Sequence, residues 1–209
     1  NSENQTPRTA NNGENGQEKW IWLRLKLIAD IGLIGLPNAG KSTLISTVSE
    51  AKPKIADYPF TTLNPVLGIA KYNNNELVIA DIPGLIEGAH EGKGLGDRFL
   101  GHIERCNLLL HLIDANDSDV INSWKTVRSE IAAYSKELDE KKEIIVLSKS
   151  DSIDETKLDE KVNILKDYTY KDVFKISSVT GKGITSILRI LHDNISKTED
   201  DDNIKGWQP

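Results

Sequence analysis

Gly35, Gly40, Lys41 and Ser42 stand at the spacing G-x-x-x-x-G-K-[ST], a residue set able to hold a chain of phosphates. Glycines let successive backbone N–H groups curl around phosphate oxygens, and the helix N-terminus that follows favours negative charge. Lys41 then reaches the β and γ phosphates and Ser42 supplies a hydroxyl to Mg2+. Leu36, Pro37, Asn38 and Ala39 fill the loop and Thr43 follows it, so all belong to the same candidate contact set. Further residues able to do chemistry come at the ends of other apolar runs. The carboxylate of Asp81 can reach a Mg2+ held by Ser42, and the N–H of Gly84 can meet a γ-phosphate. Thr61 or Thr62 can add a hydroxyl to the metal when that phosphate is present. Lys149 with Asp151, and then Ser177 and Ser178, follow two later runs.

The elements around these residues must place them at one edge. Residues 28–34 have the Ile, Leu and Ala content and the length of a strand buried on both faces, and helix formers resume after Lys41. A helix over 41–50 can turn Leu44, Ile45 and Val48 to a sheet. Residues 51–65 hold three prolines and read as a long irregular connection of the kind that carries function. Strands over 66–72 and 76–80, joined by three asparagines, predict a hairpin. Five glycines between Gly84 and Gly96 exclude a stable helix there. A helix from about Leu95 to Arg105, a strand over 107–113 and a helix from Asp119 follow, the last with Val120, Trp124, Val127, Ile131, Tyr134 and Leu138 in register. Then come a strand over 143–147, a helix using Leu158, Val162 and Leu165, a strand over 173–176, and a helix presenting Ile184, Ile187, Leu188, Leu191 and Ile195. Such alternation predicts a mostly parallel sheet with helices on both faces, and ligands bind such sheets beyond the carboxyl ends of the strands.

Composition narrows the class. The 209 residues suit one α/β domain with a full core. No window has the apolar length needed to span a bilayer. A net charge of -6 argues against sequence-independent nucleic-acid binding over the whole surface. Cys106 is the sole cysteine, so no intrachain disulfide forms and a cytoplasmic setting is expected. The chain contains no methionine and reads as a piece of a longer protein. Residues 1–18 are polar. Residues 20–27, WIWLRLKL, alternate as a half-buried strand that either edges the main sheet or closes a preceding domain. The division expected is therefore 1–27 as leader and closing strand, 28–198 as the nucleotide domain, and 199–209 as an acidic, mobile tail.

The stretches GLPNAGKST, DYPFTTL, DIPGLIEGAHEGKGLG and FLGHIERC resemble the phosphate loop, two switches and following helix of the Obg family of translational-type, Ras-like GTPases. The resemblance covers residues 28 to about 197. It implies a three-layer phosphate-loop domain, α/β in class, with a six-stranded, mostly parallel sheet and one antiparallel strand. It also implies slow Mg2+-dependent hydrolysis of GTP to GDP, a switch role in large ribosomal subunit assembly, and a monomer. KWIWLRLKL is similar to the closing strand of the family's amino-terminal domain. Carried onto this chain, Phe60, Thr61 and Thr62 belong to the first switch, and Ile82, Pro83 and Gly84 to the second. Ser148, Lys149, Ser150 and Asp151, with Ser177, Ser178 and Val179, surround the base. Lys41, Thr62 and Gly84 carry catalysis, and Ser42, Thr62 and Asp81 hold the metal.

Two departures stand out. The base-recognition motif, normally Asn-Lys-x-Asp, is Ser148-Lys149-Ser150-Asp151, which keeps the guanine-pairing Asp and the base-packing Lys but shortens the first side chain. Where Ras has the glutamine that orients water, Leu85 stands here as in Obg, so hydrolysis needs a partner or cation to be fast. Asn38 occupies the position of a potassium-coordinating asparagine in some such GTPases, making K+ a candidate. Alternatives in other classes are a nucleotide-sensing scaffold with negligible hydrolysis and a phosphate-loop ATPase or kinase. His90 reads as a solvated loop residue and His111 as a hydrogen-bonded core residue, while Cys106 lacks the neighbours of a metal site or nucleophile. Lys93, Arg98 and Arg105 either face ribosomal RNA or form the solvated face of a helix.

Overall fold

The structure is a computed structural model that describes residues 29–49, 54–55, 66–73, 75–81, 106–134 and 139–204, with Gly16 and Glu18; for 54–55, 134 and 197–204 the backbone alone is described. Strand β1, Ala29–Ile34, is buried along nearly its whole length, as its run of Ile and Leu requires. It pairs in parallel with β4, Asn75–Asp81, on one side and with β5, Cys106–Asp114, on the other. Parallel pairing continues through β6, Glu143–Ser148, to β7, Val173–Lys175. Strand β3, Val66–Tyr72, is antiparallel to β4, with Asn73 in the left-handed conformation between them at φ 49°. Asparagine adopts that conformation at little cost, which is why the run of asparagines marked this turn.

The six expected strands are thus present, and a seventh is added. Strand β2, Lys54–Ile55, pairs antiparallel with β3 at the edge, giving the order β2-β3-β4-β1-β5-β6-β7. Two residues inside a proline-rich connection carry no periodicity from which to read a strand.

Helices cover both faces. Helix α1, Lys41–Val48, buries Leu44, Ile45 and Val48 against Ile31, Leu33, Leu110 and Leu112. Helix α4, Ile184–Ile204, lies in the same core layer through Ile184, Ile187, Leu188, Leu191 and Ile195. On the other face, α2, Val120–Tyr134, packs Val127 and Ile131 on Ala29, Cys106 and Leu109. There α3, Glu155–Thr169, joins Leu158 and Leu165 to Ile113, Ile145 and Leu147. Helix α4 runs into the segment expected to be a mobile acidic tail and ends at Ile204. No proline or glycine interrupts the chain between Ile184 and Gly206, and extending an anchored helix adds a hydrogen bond for each residue fixed. Among the described residues no helix is long and apolar enough to cross a membrane.

Candidate functional site

The carboxyl ends of β1, β4, β5 and β6 bring most of the described chemistry-bearing residues to one edge. Gly35 leaves β1 at φ 145°, and a Cβ there would lie 2.3 Å from the backbone oxygen of Leu112. Only glycine lets the loop pass so close to β5. Asn38 at φ 63° and Gly40 at φ 94° continue the curl, and α1 starts at Lys41. The ammonium of Lys41 donates to the carbonyl oxygens of Gly35 and Leu36 at 2.8 and 3.1 Å. Burial pushes its pKa below the ordinary lysine value, and the nearby Asp81 carboxylate acts in the opposite sense. An anion seated in the loop would supply charge that two carbonyls cannot.

Ser42 donates its hydroxyl proton to Asp81 Oδ2 at 2.6 Å, joining the start of α1 to the last residue of β4. Asp81 is 5% exposed, and its buried Oδ1 has no hydrogen-bond partner among the described residues. A hydroxyl oxygen beside a carboxylate with an unused oxygen is a hard, oxygen-only donor pair, which fits Mg2+. Thr62, the third expected metal ligand, lies outside the described residues, as do Phe60, Thr61, Ile82, Pro83, Gly84 and Leu85. The same holds for residues 20–27 and for His90, Lys93, Arg98 and Arg105.

Two loops face the phosphate loop from the β6 and β7 side. Ser148 is 2% exposed, and its Oγ lies 2.6 Å from the Ala39 carbonyl oxygen and 3.1 Å from that of Ile113. A hydroxyl has one proton to give, so it serves one of these acceptors at a time, whereas an asparagine amide has two. Lys149 turns the chain at φ 56°, a turn closed by Ser152 N–H donating to the Lys149 oxygen at 3.0 Å, and leaves Asp151 exposed. Ser150 N–H donates to the Ile176 oxygen at 3.0 Å, holding this loop to the one at Ser177. Ser177 is fully buried and its Oγ accepts Thr180 N–H at 3.1 Å, while Val179 is 82% exposed. The Thr47 hydroxyl in α1 lies 2.9 Å from the Thr43 carbonyl oxygen and 3.2 Å from that of Ser178, sharing one proton between them, so the helix that carries Lys41 also touches the second loop.

Sequence reasoning passed over Asp114. Its Oδ2 accepts the Lys149 ammonium at 2.6 Å, and its Oδ1 accepts the backbone and side-chain N–H groups of Asn116 at 2.9 and 3.0 Å. Burial works to raise the Asp114 pKa, but Lys149 and Asn116 together outweigh it and the carboxyl titrates below its ordinary value. An aspartate closing a strand at the ligand edge was the available signal. His111 is fully buried and hydrogen-bonded through Nδ1 to Glu143 Oε1 at 2.8 Å, as a core histidine should be. Cys106 is buried, and burial pushes its thiol pKa up to about 12, away from the thiolate form that a nucleophile needs.

A glycine-rich loop between a central parallel strand and a helix, a lysine and serine at its end, and a facing aspartate define a phosphate-loop nucleotide-binding domain. The sequence pattern of the 50S ribosome-binding GTPases matches residues 30–149, and the chain belongs to that family. It is a GTP-binding domain of the GTPase type. Solved structures agree on the fold. The G domain of the T. maritima FeoB iron transporter is 21% identical, with a TM-score of 0.56 over 80% of this chain and 96% of that one. An Aquifex aeolicus Era variant bound to GDP and AlF4- is 23% identical, with a TM-score of 0.60 over 80% of this chain and 57% of that one. A Plasmodium falciparum chain named as nucleolar GTP-binding protein 1 is 20% identical, with a TM-score of 0.61 over 87% and 93% of the two chains.

Proposed function

We propose that this chain is the nucleotide switch of an Obg-type protein, cytoplasmic and monomeric, that hydrolyses GTP slowly with Mg2+ and acts in large ribosomal subunit assembly. The observation that carries the enzymatic part is the Ser42–Asp81 contact with its unused carboxylate oxygen, set beside Lys41 at the mouth of the loop. In this reading Lys41 leaves the Gly35 and Leu36 carbonyls for the β and γ phosphates, and the backbone N–H groups of residues 38–43 surround them, Pro37 having none to give. Ser42, Asp81 and Thr62 hold Mg2+, which when bound neutralises phosphate charge. Gly84 N–H meets the γ-phosphate, and Leu85 leaves the attacking water unoriented. The Asp151 carboxylate pairs with guanine, the stem of Lys149 packs on the base, and Ser177, Ser178 and Val179 close its far side. Presence of the γ-phosphate orders both switches and its loss releases them, which is the signal a large-subunit partner reads. The family's own description favours that partner.

Single-turnover hydrolysis of GTP and ATP, with and without large ribosomal subunits, tests the proposal. Slow turnover of GTP alone, accelerated by subunits and abolished in Lys41→Ala, is expected. Preference for ATP, or rates untouched by Lys41→Ala, would overturn it. Asn38 stands exposed at φ 63° in the loop, and a potassium ion held there would offset the missing glutamine. Hydrolysis should then run faster in K+ than in Na+ at equal ionic strength, and Asn38→Ala should erase the difference.

A further inference from the structure

The turn after β5, residues 115–119, is held from three sides. From α3, Lys161 Nζ donates to the carbonyl oxygens of Ala115 and Asp117 at 2.7 and 2.6 Å. From α2, the Ser123 hydroxyl donates to Asp117 Oδ2. At the end of β6 the Ser148 oxygen accepts Ala115 N–H at 3.0 Å, and within the turn Asp117 N–H donates to the Asp114 oxygen, also at 3.0 Å. Ala115, Asp117, Ser123 and Lys161 are not among the residues assigned above to the nucleotide.

What the bracing fixes is the carboxylate of Asp114, the last residue of β5. Its Oδ1 accepts the backbone and side-chain N–H groups of Asn116 at 2.9 and 3.0 Å, which leaves Oδ2 for Lys149 Nζ at 2.6 Å. Asp114 lies opposite Ser148 in the β5–β6 register, so Lys149 leaves β6 directly beside it, with its backbone set at φ 56°. The side chains of Lys149 and Asp114 are 38% and 25% exposed, and an ion pair this open to water adds little to the stability of a fold. Its effect falls on the Lys149 stem instead. An untethered lysine side chain loses its rotamer freedom when a ligand packs on it, whereas one tied at its tip to a fixed carboxylate has lost that freedom beforehand.

We propose that Asp114 is a positioning residue for the nucleotide base: pinned by the turn at 115–119, it holds the Lys149 ammonium so that the four-carbon stem lies ready as an apolar shelf for a planar purine. This rests on the reading of Lys149 as the residue that packs on the base. Asp114 acts through Lys149 and makes no contact with the base itself. Burial works against its ionisation, but the bonds from Lys149 and Asn116 outweigh burial, so the anchor carries its charge at neutral pH.

Calorimetric GDP titration of the parent, Asp114→Asn, Lys149→Met and the double variant tests this. Asp114→Asn keeps an oxygen for the Asn116 N–H groups and removes the charge. It should weaken GDP roughly three- to tenfold, the cost of ordering one long side chain at the moment of binding. Lys149→Met should itself weaken GDP, and because it has no ammonium to hold, adding Asp114→Asn to it should change affinity by less than about twofold. A merely structural role for Asp114 would give the same loss in both backgrounds. Asn116 is exposed, so Asn116→Ala is a second probe that spares the fold; it frees Oδ1 and should weaken GDP about two- to threefold, again only while Lys149 is present. If Asp114→Asn does not fold, Asn116→Ala decides in its place. Equal losses with and without Lys149, or parental GDP affinity in Asp114→Asn, would overturn the positioning role while leaving the base-packing reading intact. Parental affinity in Lys149→Met would overturn that reading and the positioning role with it.

Discussion

Ser148 Oγ donates to the Ala39 carbonyl oxygen at 2.6 Å, and this one bond ties the end of β6 to the phosphate loop after β1. The tether lies in a buried place, so its loss would leave the Ala39 and Ile113 oxygens without this donor. Ser148→Ala should lower stability by about 1 to 3 kcal/mol. Because the two loops lose their register, GDP affinity should fall as well. Ser148→Asn has a second N–H to give and should match or exceed the parent in both respects. Urea unfolding together with calorimetric GDP titration of the three proteins checks this; equal stability of Ser148→Ala and parent would show the contact to be idle.

Two glycines of the phosphate loop should respond unequally to alanine. At Gly35 a Cβ meets the Leu112 oxygen at 2.3 Å in a backbone conformation alanine resists, so Gly35→Ala must push β1 and β5 apart and should fail to give a folded chain. At Gly40 the nearest atom to a Cβ is 3.9 Å away, leaving backbone strain at φ 94° as the main cost. Gly40→Ala should therefore fold with a loss of about 1 to 3 kcal/mol. Circular dichroism melts of the purified variants decide the order; a Gly35→Ala melt equal to that of Gly40→Ala would refute the steric account.

These contacts separate what the sequence could reveal from what it could not. Continuous apolar runs identified β1, β5 and β6, and helical periods identified α2 and α3, because burial acts on consecutive or regularly spaced residues. The phosphate loop was readable because glycine, lysine and serine are required at fixed offsets by backbone geometry and charge. The partner of Lys149 was not, since Asp114 lies 35 residues earlier and only the β5–β6 pairing brings them together. The His111–Glu143–Lys171 chain was hidden for the same reason. Glu143 opens a strand and reads as a solvent-facing end, yet its side chain is fully buried between its two partners. Strand β2 was invisible because two residues are too few to show a period.

Glu143 makes the acid limb of stability steep. Burial alone would raise its pKa, but hydrogen bonds and charge from His111 and Lys171 bring it down to about 2 from an ordinary 4.5. A carboxyl with a depressed folded pKa contributes its full stabilisation above the unfolded value, near pH 4.5, and loses it as the pH falls toward 2. The contribution at neutral pH is on the order of 3 kcal/mol. Glu143→Gln should be less stable at pH 6 and should show a shallower loss between pH 4.5 and 2. Urea midpoints of parent and variant measured across that window test this, and parallel pH curves would contradict it.

In the proposed function base selection would rest on Asp151, which stands exposed at the turn after Lys149, with its loop pinned by Ser150 N–H on the Ile176 oxygen. A carboxylate placed there accepts two hydrogen bonds from guanine, one from the ring N–H and one from the exocyclic amine. Adenine presents a bare ring acceptor and has no amine at that carbon, so an adenine nucleotide would desolvate the carboxylate without pairing it, at a cost of about 1 to 3 kcal/mol or more for a charged group. GDP should thus outcompete ADP by at least tenfold even with serine at position 148. In Asp151→Asn the side-chain oxygen still accepts the ring N–H, but the amide N–H now opposes the guanine amine, donor against donor. Xanthine has an oxygen at that carbon and should accept the amide N–H instead, so the variant should lose GDP and gain XDP. Lys41 and Ser42 are far along the nucleotide from this exchange, and phosphate binding should be common to both ligands. Calorimetric titration of parent and Asp151→Asn with GDP, XDP and ADP measures the swap directly; unchanged GDP affinity in the variant would mean that Asp151 does not read the base and that Ser148-Lys149-Ser150-Asp151 is only a turn closing β6.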